Sequence, residues 1–312
     1  MAGRNIETAL ILAAGNGTRL GDLGRSIPKA LLPVINRPLL VRHLEVLAAQ
    51  GVRDVHVVIG HLGQMIKDAV AAHPIDGLTV HFHVQEERLG LGHAVLQAEA
   101  ALSETPFVLI LADIAFSLIN PDQLFQLPND VAGRIAVKEE QEVAPIRLNF
   151  SVIHDGAGRI SKVIEKPQDP PNMLKGTGQY SFDPTIFEAI RKTPRSALRN
   201  EYELTDAIQT LIDMGRPVEV AQSIDWDLNL TFPADVLACN LHFRPNASDS
   251  ECVATQLPTG SRVTNCIIGP DVTADGPVDL LNCVILEGAH LASDTSLRDM
   301  IVAPFGSWRR NQ

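Results

Sequence analysis

Three short segments carry residue types that can do chemistry on a phosphate ester. The first is Leu12-Ala13-Ala14-Gly15-Asn16-Gly17-Thr18-Arg19-Leu20, where glycines directly follow an apolar run. Glycines in that place let backbone N–H groups approach a phosphate chain with no Cβ in the way, and Arg19 adds a charge-assisted donor. The second is Pro28-Lys29-Ala30-Leu31-Leu32-Pro33-Val34, one cation between two prolines that fix the backbone. The third is Leu109-Ile110-Leu111-Ala112-Asp113, which delivers one carboxylate to the C-terminal end of a buried strand, where open parallel sheets hold ligands. Two rival glycine-loop readings fail on spacing. A Walker loop needs Gly-Lys-Ser/Thr, but the nearest lysine is Lys29, twelve residues after Gly17. A dinucleotide fingerprint needs a third glycine where Leu20 stands. Taken singly, the glycines also fit an unliganded loop and Asp113 fits a helix or turn cap.

The elements that must position these groups alternate apolar runs with amphipathic stretches, the pattern of a parallel sheet covered by helices. Strands are expected at Thr8 to Ala13, Val55 to Ile59, Thr79 to Val84 and Phe107 to Ala112. Leu39, Leu40, His43, Leu44, Val46 and Leu47 recur at helical spacing, with Gly51 at the C-terminal cap, and further helices fit Gln64 to Ala72 and His93 to Leu102. After Asp113 the alternation loosens. Strands are expected at Arg134 to Lys138, Asn149 to His154 and Ile160 to Ile164, and helices near Pro184 to Arg191 and Glu203 to Met214.

The tail has a different grammar. Asn265-Cys266-Ile267-Ile268, Asn282-Cys283-Val284-Ile285 and Asp299-Met300-Ile301-Val302 recur every 17 residues. That period, close to three hexapeptides, with Gly269-Pro270, Gly276-Pro277 and Gly288 at corners, fits a parallel β-helix whose coils stack like positions. An irregular β-rich tail is the alternative. The expected organisation is therefore an α/β domain over 1–243 and a short hexapeptide-repeat-like β-helix tail over 244–312.

With 312 residues, against a prior of ~150 per domain, about two domains are expected, and 45% hydrophobic with 20% charged residues is an ordinary globular mix. Twenty-six Lys and Arg against 37 Asp and Glu leave a formal charge of −11, which argues against a nucleic-acid or anionic-membrane surface. No apolar run approaches the ~20 residues of a membrane span, and Met1 to Glu7 is a polar lead with no apolar signal core, so a cytoplasmic location is expected. Cys239, Cys252, Cys266 and Cys283 lack both zinc-site spacing and disulfide density and read as reduced and mostly buried. His81 and His83 share a strand face with no third ligand at metal spacing in the sequence, and read as ordinary surface or lining residues. No Ser-His-Asp or Cys-His pairing is signalled by a local motif.

Gly-x-Gly-Thr-Arg-Leu followed by Pro-Lys-x-Leu-Leu-Pro-Val resembles the signature of the sugar-1-phosphate nucleotidyltransferases, the nucleotide-sugar pyrophosphorylases. The resemblance extends over nearly the whole chain. It implies a Rossmann-like nucleotidyltransferase domain with a mixed central sheet, followed here by a short left-handed parallel β-helix. It implies that Leu12, Ala13, Ala14, Gly15, Gly17 and Thr18 hold the triphosphate while Arg19 and Lys29 neutralise it and the departing pyrophosphate. Gln85, with Leu89-Gly90-Leu91-Gly92-His93-Ala94, is similar to the segment that reads the nucleobase: Gln85 meets the base edge and Gly90 allows close packing. Several members have Thr where Leu91 stands. Asp113 matches the family's Mg²⁺ ligand, and oxygen donors suit a hard dication that bridges phosphates. Glu165-Lys166-Pro167 resembles the Glu-Lys-Pro element, in which Glu accepts sugar hydroxyls and Lys pairs with the sugar phosphate. Ser151 stands where many members have a Gly close to the sugar, and Gly176-Thr177-Gly178-Gln179-Tyr180 matches a loop closing on the sugar phosphate. For the second metal ligand two alignments of Asp225 to Asp235 stand open: counting from Trp226 gives Asp227, and counting back from Pro233 and Asp235 gives Asn229, which is slightly favoured. Glu203-Leu204-Thr205-Asp206 reads as a helix start with capping chemistry.

The implied reaction is in-line attack of a sugar-1-phosphate oxygen on the α-phosphorus of a nucleoside triphosphate, with UTP or dTTP and glucose 1-phosphate the favoured pair because Gln85 suits a pyrimidine edge. A phosphate monoester is already ionised near neutral pH, so the work is positioning and charge neutralisation. The alternatives are a cytidylyltransferase for another alcohol phosphate, such as phosphocholine or an inositol phosphate, and a catalytically silent regulatory subunit of the same fold. The latter is disfavoured because Arg19, Lys29 and Asp113 are all present. The open end of a short β-helix exposes unpaired backbone, which leads to the expectation of a homo-oligomer.

Overall fold

The computed structural model describes residues 3–197, 199–244 and 254–309; Cys252 lies outside them. Contacts divide the chain into two compact units, one formed by Met1–Gly15, His43–Lys67 and His73–Asp227, the other by Asn16–Arg42, Asp68–Ala72 and Leu228–Gln312. This division by compactness does not follow the expected boundary at 243/244.

In the first unit, Thr8–Ala13 forms β1, buried from Ala9 onward, and Asp54–Ile59 forms β2, buried from Val55 onward. Such near-continuous apolar runs are what strands covered on both faces require. Thr79–Val84 (β3) pairs only with β2 at the sheet's edge and stays half-exposed. Phe107–Leu111 (β4) lies parallel to β1 on its other side. After Asp113 come Ile114–Leu118 (β5), Gly133–Glu139 (β6), Phe150–His154 (β7), Ile160–Glu165 (β8), Leu174–Phe182 (β9), Val218–Ala221 (β10) and Ile224–Asn229 (β11). The nine-stranded mixed sheet runs β8-β7-β9-β4-β1-β2-β3, with β6 bridging β9 and β10. It bears out the expected mixed central sheet. Phe107, Phe182 and Phe187 pack together in the core, Phe187 coming from the helix Thr185–Lys192.

Two expectations are corrected here. The helix expected over His93 to Leu102 is broken into Leu91–Leu96 and Glu99–Leu102, because Ala98 leaves the helical region with φ −102 and ψ 4. The segment expected as a closing loop, Gly176 to Tyr180, is the middle of β9, buried between β4, β6 and β7. The resemblance implied a loop, but the segment pairs with distant strands and Thr177 donates to Ala136 O.

In the second unit the 17-residue repeat is realised as stacked strands. Arg262–Thr264 (β12), Ile267–Ile268 (β13) and Thr273–Ala274 (β14) are followed by Asp279–Leu281 (β15), Val284–Ile285 (β16) and His290–Leu291 (β17), then by Ser296–Arg298 (β18), Met300–Ala303 (β19) and Gly306–Arg309 (β20). Parallel ladders run β12-β15-β18, β13-β16-β19 and β14-β17, and β20 folds back antiparallel on β19. Like positions stack: Asn265 donates to Asn282 at 2.7 Å and Asn282 to Asp299 at 3.0 Å, all three with φ between 52° and 53°. Cys266, Cys283 and Met300 stack inside the coils, and Cys239, Cys266 and Cys283 are buried and free, as expected. The helix Pro233–Phe243 is tied to the Pro33–Asn36 turn by Asn240, which accepts from Ile35 N and donates to Pro33 O, both at 2.8 Å. No helix among the described residues is long and apolar enough to cross a membrane.

Candidate active site

Leu12 and Ala13, buried, and Ala14, half-buried, lead out of β1 into Gly15, which is exposed and has open space where a Cβ would sit. In the second unit, Gly17 takes φ 63 and ψ 26 and opens a single 3-10 turn over Thr18–Leu20. A Cβ on Gly17 would lie 3.1 Å from Lys29 Cγ, so the left-handed glycine also makes room for the lysine stem. Thr18 and Arg19 are exposed on this turn, and Lys29 is half-buried. The structure thus brings Gly17 and Lys29 together.

In the first unit, Gln85 follows β3 and is buried. Its Nε2 donates to Gly90 O at 3.2 Å and lies 3.1 Å from His93 Nδ1. A carbonyl only accepts, so the nitrogen end of the amide must face Gly90 and Oε1 is directed away from it. Gly90 has φ 98, and a Cβ there would stand 2.7 Å from Tyr202 O and 2.9 Å from Tyr202 N. Only glycine fits against that strand-like contact, which Tyr202 N closes by donating to Leu89 O at 2.7 Å. Asp113 emerges half-buried from the turn after β4, whose Ala112 N donates to Leu12 O at 3.1 Å.

Glu165 ends β8 and Lys166 follows it. Neighbouring residues of a strand point to opposite faces, yet Lys166 Nζ lies 3.0 Å from Glu165 Oε1, because Lys166 adopts φ 43 and turns back. Thr205 Oγ1 donates to Glu165 Oε2 at 3.2 Å, and Arg199 lies 3.9 Å from Glu165 and 3.2 Å from Glu203. Burial, with the nearby Glu165 charge, raises the pKa of Glu203 and Asp206. Glu203 precedes the helix Leu204–Asp213 without capping it through its side chain, contrary to expectation: its carboxylate is taken by Arg199. Sequence reasoning missed Arg199, for which no local motif gave a signal, and read Thr205 only as part of a helix start.

The structure does not present three expected sugar-side residues to solvent. Ser151 is fully buried and donates to Asn172 Oδ1 at 3.0 Å. Thr177 is buried and donates to Ala136 O at 3.1 Å, and Gly178 lies within β9 beneath Ile114 and Leu111. Central-strand burial, rather than loop closure, uses these groups.

A second group was missed but for Asp227, which was read as a candidate metal ligand. Lys175 and Asp227 have side chains only 4% exposed, and Lys175 Nζ donates to Asp227 Oδ1 at 2.9 Å while also pairing with Glu140. Lys138, directly opposite Lys175 in the β6–β9 register, lies 3.7 Å from Glu140 and 3.9 Å from Asp227. Two ammonium groups against two carboxylates cancel, which burial demands. Burial raises the Asp227 pKa even with Lys175 beside it. Asp227 is therefore committed to lysines, whereas the Asn229 side chain, two residues on, accepts a 3.3 Å bond from Thr231 Oγ1.

A family model described as nucleotidyl transferase matches residues 8–227. The chain belongs to the nucleotidyl transferase family. A relative from Haloferax volcanii, a UTP–glucose-1-phosphate uridylyltransferase, is 33% identical over 230 residues, covering 73% of this chain and 92% of its own. A glucose-1-phosphate thymidylyltransferase from Streptomyces antibioticus is 34% identical over 284 residues, covering 86% of this chain and 78% of its own. Among solved structures, a UDP-glucose pyrophosphorylase complexed with UDP-glucose superposes with a TM-score of 0.66 at 23% identity over 76% of this chain and 98% of that one. That likeness is one of fold, and the nucleotidyl transferase fold is the mixed α/β architecture described above.

Proposed function

We propose that this nucleotidyl transferase joins the nucleotidyl group of UTP or dTTP to glucose 1-phosphate, releasing pyrophosphate. The observation that carries the choice of base is the direction of the Gln85 amide. With its nitrogen on Gly90 O, the outward Oε1 is an acceptor, and it matches the N3–H donor of uracil or thymine but not the N3 acceptor of cytosine. This favours a pyrimidine-keto base over the cytidylyl alternative, and the names of the two relatives agree with it.

Arg19 and Lys29 take the β- and γ-phosphates and hold the leaving pyrophosphate, since charge neutralisation of the departing oxygens is what lowers this barrier. Glu165, pre-held by Lys166 and Thr205, accepts sugar hydroxyls, and Lys166 receives the sugar phosphate. By the resemblance, Asp113 and Asn229 are each candidates to hold Mg²⁺, and each carries the oxygen donor that a hard dication takes. A bound Mg²⁺ would neutralise phosphate charge. Asp227, held by Lys175, is better placed to set the lysine cluster than to bind metal. Ser151, Thr177 and Gly178 support β9 and β7 beneath the sugar side and do not touch the sugar. The stacked coils are read as a short left-handed β-helix, and the enzyme as a cytoplasmic homo-oligomer.

The test is pyrophosphate release with Mg²⁺ across five nucleoside triphosphates and several sugar 1-phosphates, with Asp113→Ala as control. Release restricted to UTP or dTTP with glucose 1-phosphate, lost in the variant, is expected. Release only with CTP and another alcohol phosphate, or none at all with triphosphate still bound, would overturn the reading.

A further inference from the structure

His81 and His83 alternate on edge strand β3, and the fold adds what their spacing lacked. His56 of β2 pairs in register with His81, and its Nδ1 lies 2.9 Å from His83 Nε2. The His56 ring stacks on His81 with centroids 4.9 Å apart and 20° between planes, and is tilted 33° to His83 with centroids 5.1 Å apart. His81 is held in place by Asp54, whose Oδ1 is 3.3 Å from its Nε2. Three imidazoles on one face of two strands do nothing for the nucleotidyl transfer reaction.

We propose that His56 and His83 form a two-imidazole chelate for a divalent transition-metal ion of the copper(II) or nickel(II) class. Among the described residues no three or more His, Cys, Asp or Glu side chains converge as a metal cage, so water completes the coordination. The donor chemistry selects the metal. The two nitrogens are already within hydrogen-bond distance, so turning the rings brings both lone pairs to one ion. Sites of nitrogen and oxygen donors with water suit copper(II) or nickel(II), and copper(II) heads the affinity order for nitrogen sites. On binding, the proton between the two nitrogens moves to the far nitrogen of its own ring, and each ring turns about its Cβ–Cγ bond until both lone pairs meet the ion. Burial and the neighbouring imidazoles lower the His56 pKa to about 4, and burial lowers that of His83. His81 backs the His56 ring, with its own Nε2 turned to Asp54.

The experiment titrates the untagged full chain with copper(II), nickel(II) and zinc(II), reading metal per chain by equilibrium dialysis and the copper ligand-field absorption. One tight copper(II) per chain is expected, bound more strongly than zinc(II). His83→Gln and His56→Gln should each weaken it by more than the ~10–100-fold that even an outer-shell partner is worth, while His61→Gln changes nothing. A melting temperature that copper(II) raises in the parent but not in His83→Gln gives a second readout in a chain whose own melt reports its folding. Binding that survives both variants, that is lost equally in His61→Gln, or that prefers zinc(II) overturns the proposal.

Discussion

Replacing Lys175 by Met tests whether the buried charge cluster is a balanced unit. The substitution keeps the side-chain volume and removes a charge whose surroundings are only 4% exposed at Asp227 and 12% at Glu140. Two carboxylates would then face Lys138 alone, at 3.7 and 3.9 Å. Removing one partner of a buried pair costs about 3–5 kcal/mol. Lys138 remains to share the excess charge and is 24% exposed, so about 2–4 kcal/mol is expected. The double variant Lys175→Met/Asp227→Leu removes one charge of each sign and leaves Lys138 with Glu140. It should cost less than Lys175→Met alone, by about 1–2 kcal/mol. Urea denaturation followed by fluorescence and circular dichroism measures all three chains. A Lys175→Met chain within about 0.5 kcal/mol of the parent, the scatter of an ordinary surface change, would refute the reasoning, as would a double variant worse than either single one. The same cluster decides the metal-ligand question. Asp227→Asn should keep pyrophosphate release within a few-fold while Asn229→Ala depresses it by orders of magnitude; the reverse ordering would return the ligand role to Asp227.

Gly90→Ala places a Cβ 2.7 Å from a backbone oxygen at φ 98; strain and overpacking together should cost about 2–5 kcal/mol, read as a lowered melting temperature and a raised KM for the triphosphate. Gln85→Glu sets a carboxylate oxygen against Gly90 O in place of the amide nitrogen, so KM for UTP or dTTP should rise by at least about tenfold, the worth of one neutral hydrogen bond; unchanged kinetics would detach Gln85 from the base. His56 has a folded-state pKa below its ordinary value, about 4 against 6.5. The unfolded chain therefore binds more protons between those values, and stability should fall as pH drops through that window, by at most about 3 kcal/mol. Comparing denaturation midpoints of the parent and His56→Gln from pH 7 to pH 4 isolates this slope, and parallel curves would contradict it.

Sequence alone settled what local chemistry dictates. The buried strands declared themselves as apolar runs, because a strand covered on both faces has no polar positions to offer. The Gly17–Lys29 neighbourhood agrees with the family resemblance of the two motifs, and the left-handed Gly17 that makes room for the lysine was seen only in the fold. The stacked coils followed from a period of 17, since identical positions must stack to share hydrogen bonds and core. Tertiary structure decided everything that depends on which distant strand arrives beside a given residue. Thr177 and Ser151 read as ligand residues until Ala136 and Asn172 were seen to satisfy them, and Lys175 drew no reading until Asp227 was seen beside it. His56 stands 25 and 27 residues before His81 and His83, a separation that no local period encodes; only the parallel register of β2 and β3 brings the rings together. A polar group may be buried only if its partner is buried with it, and that partner is named by the fold and not by the neighbouring sequence.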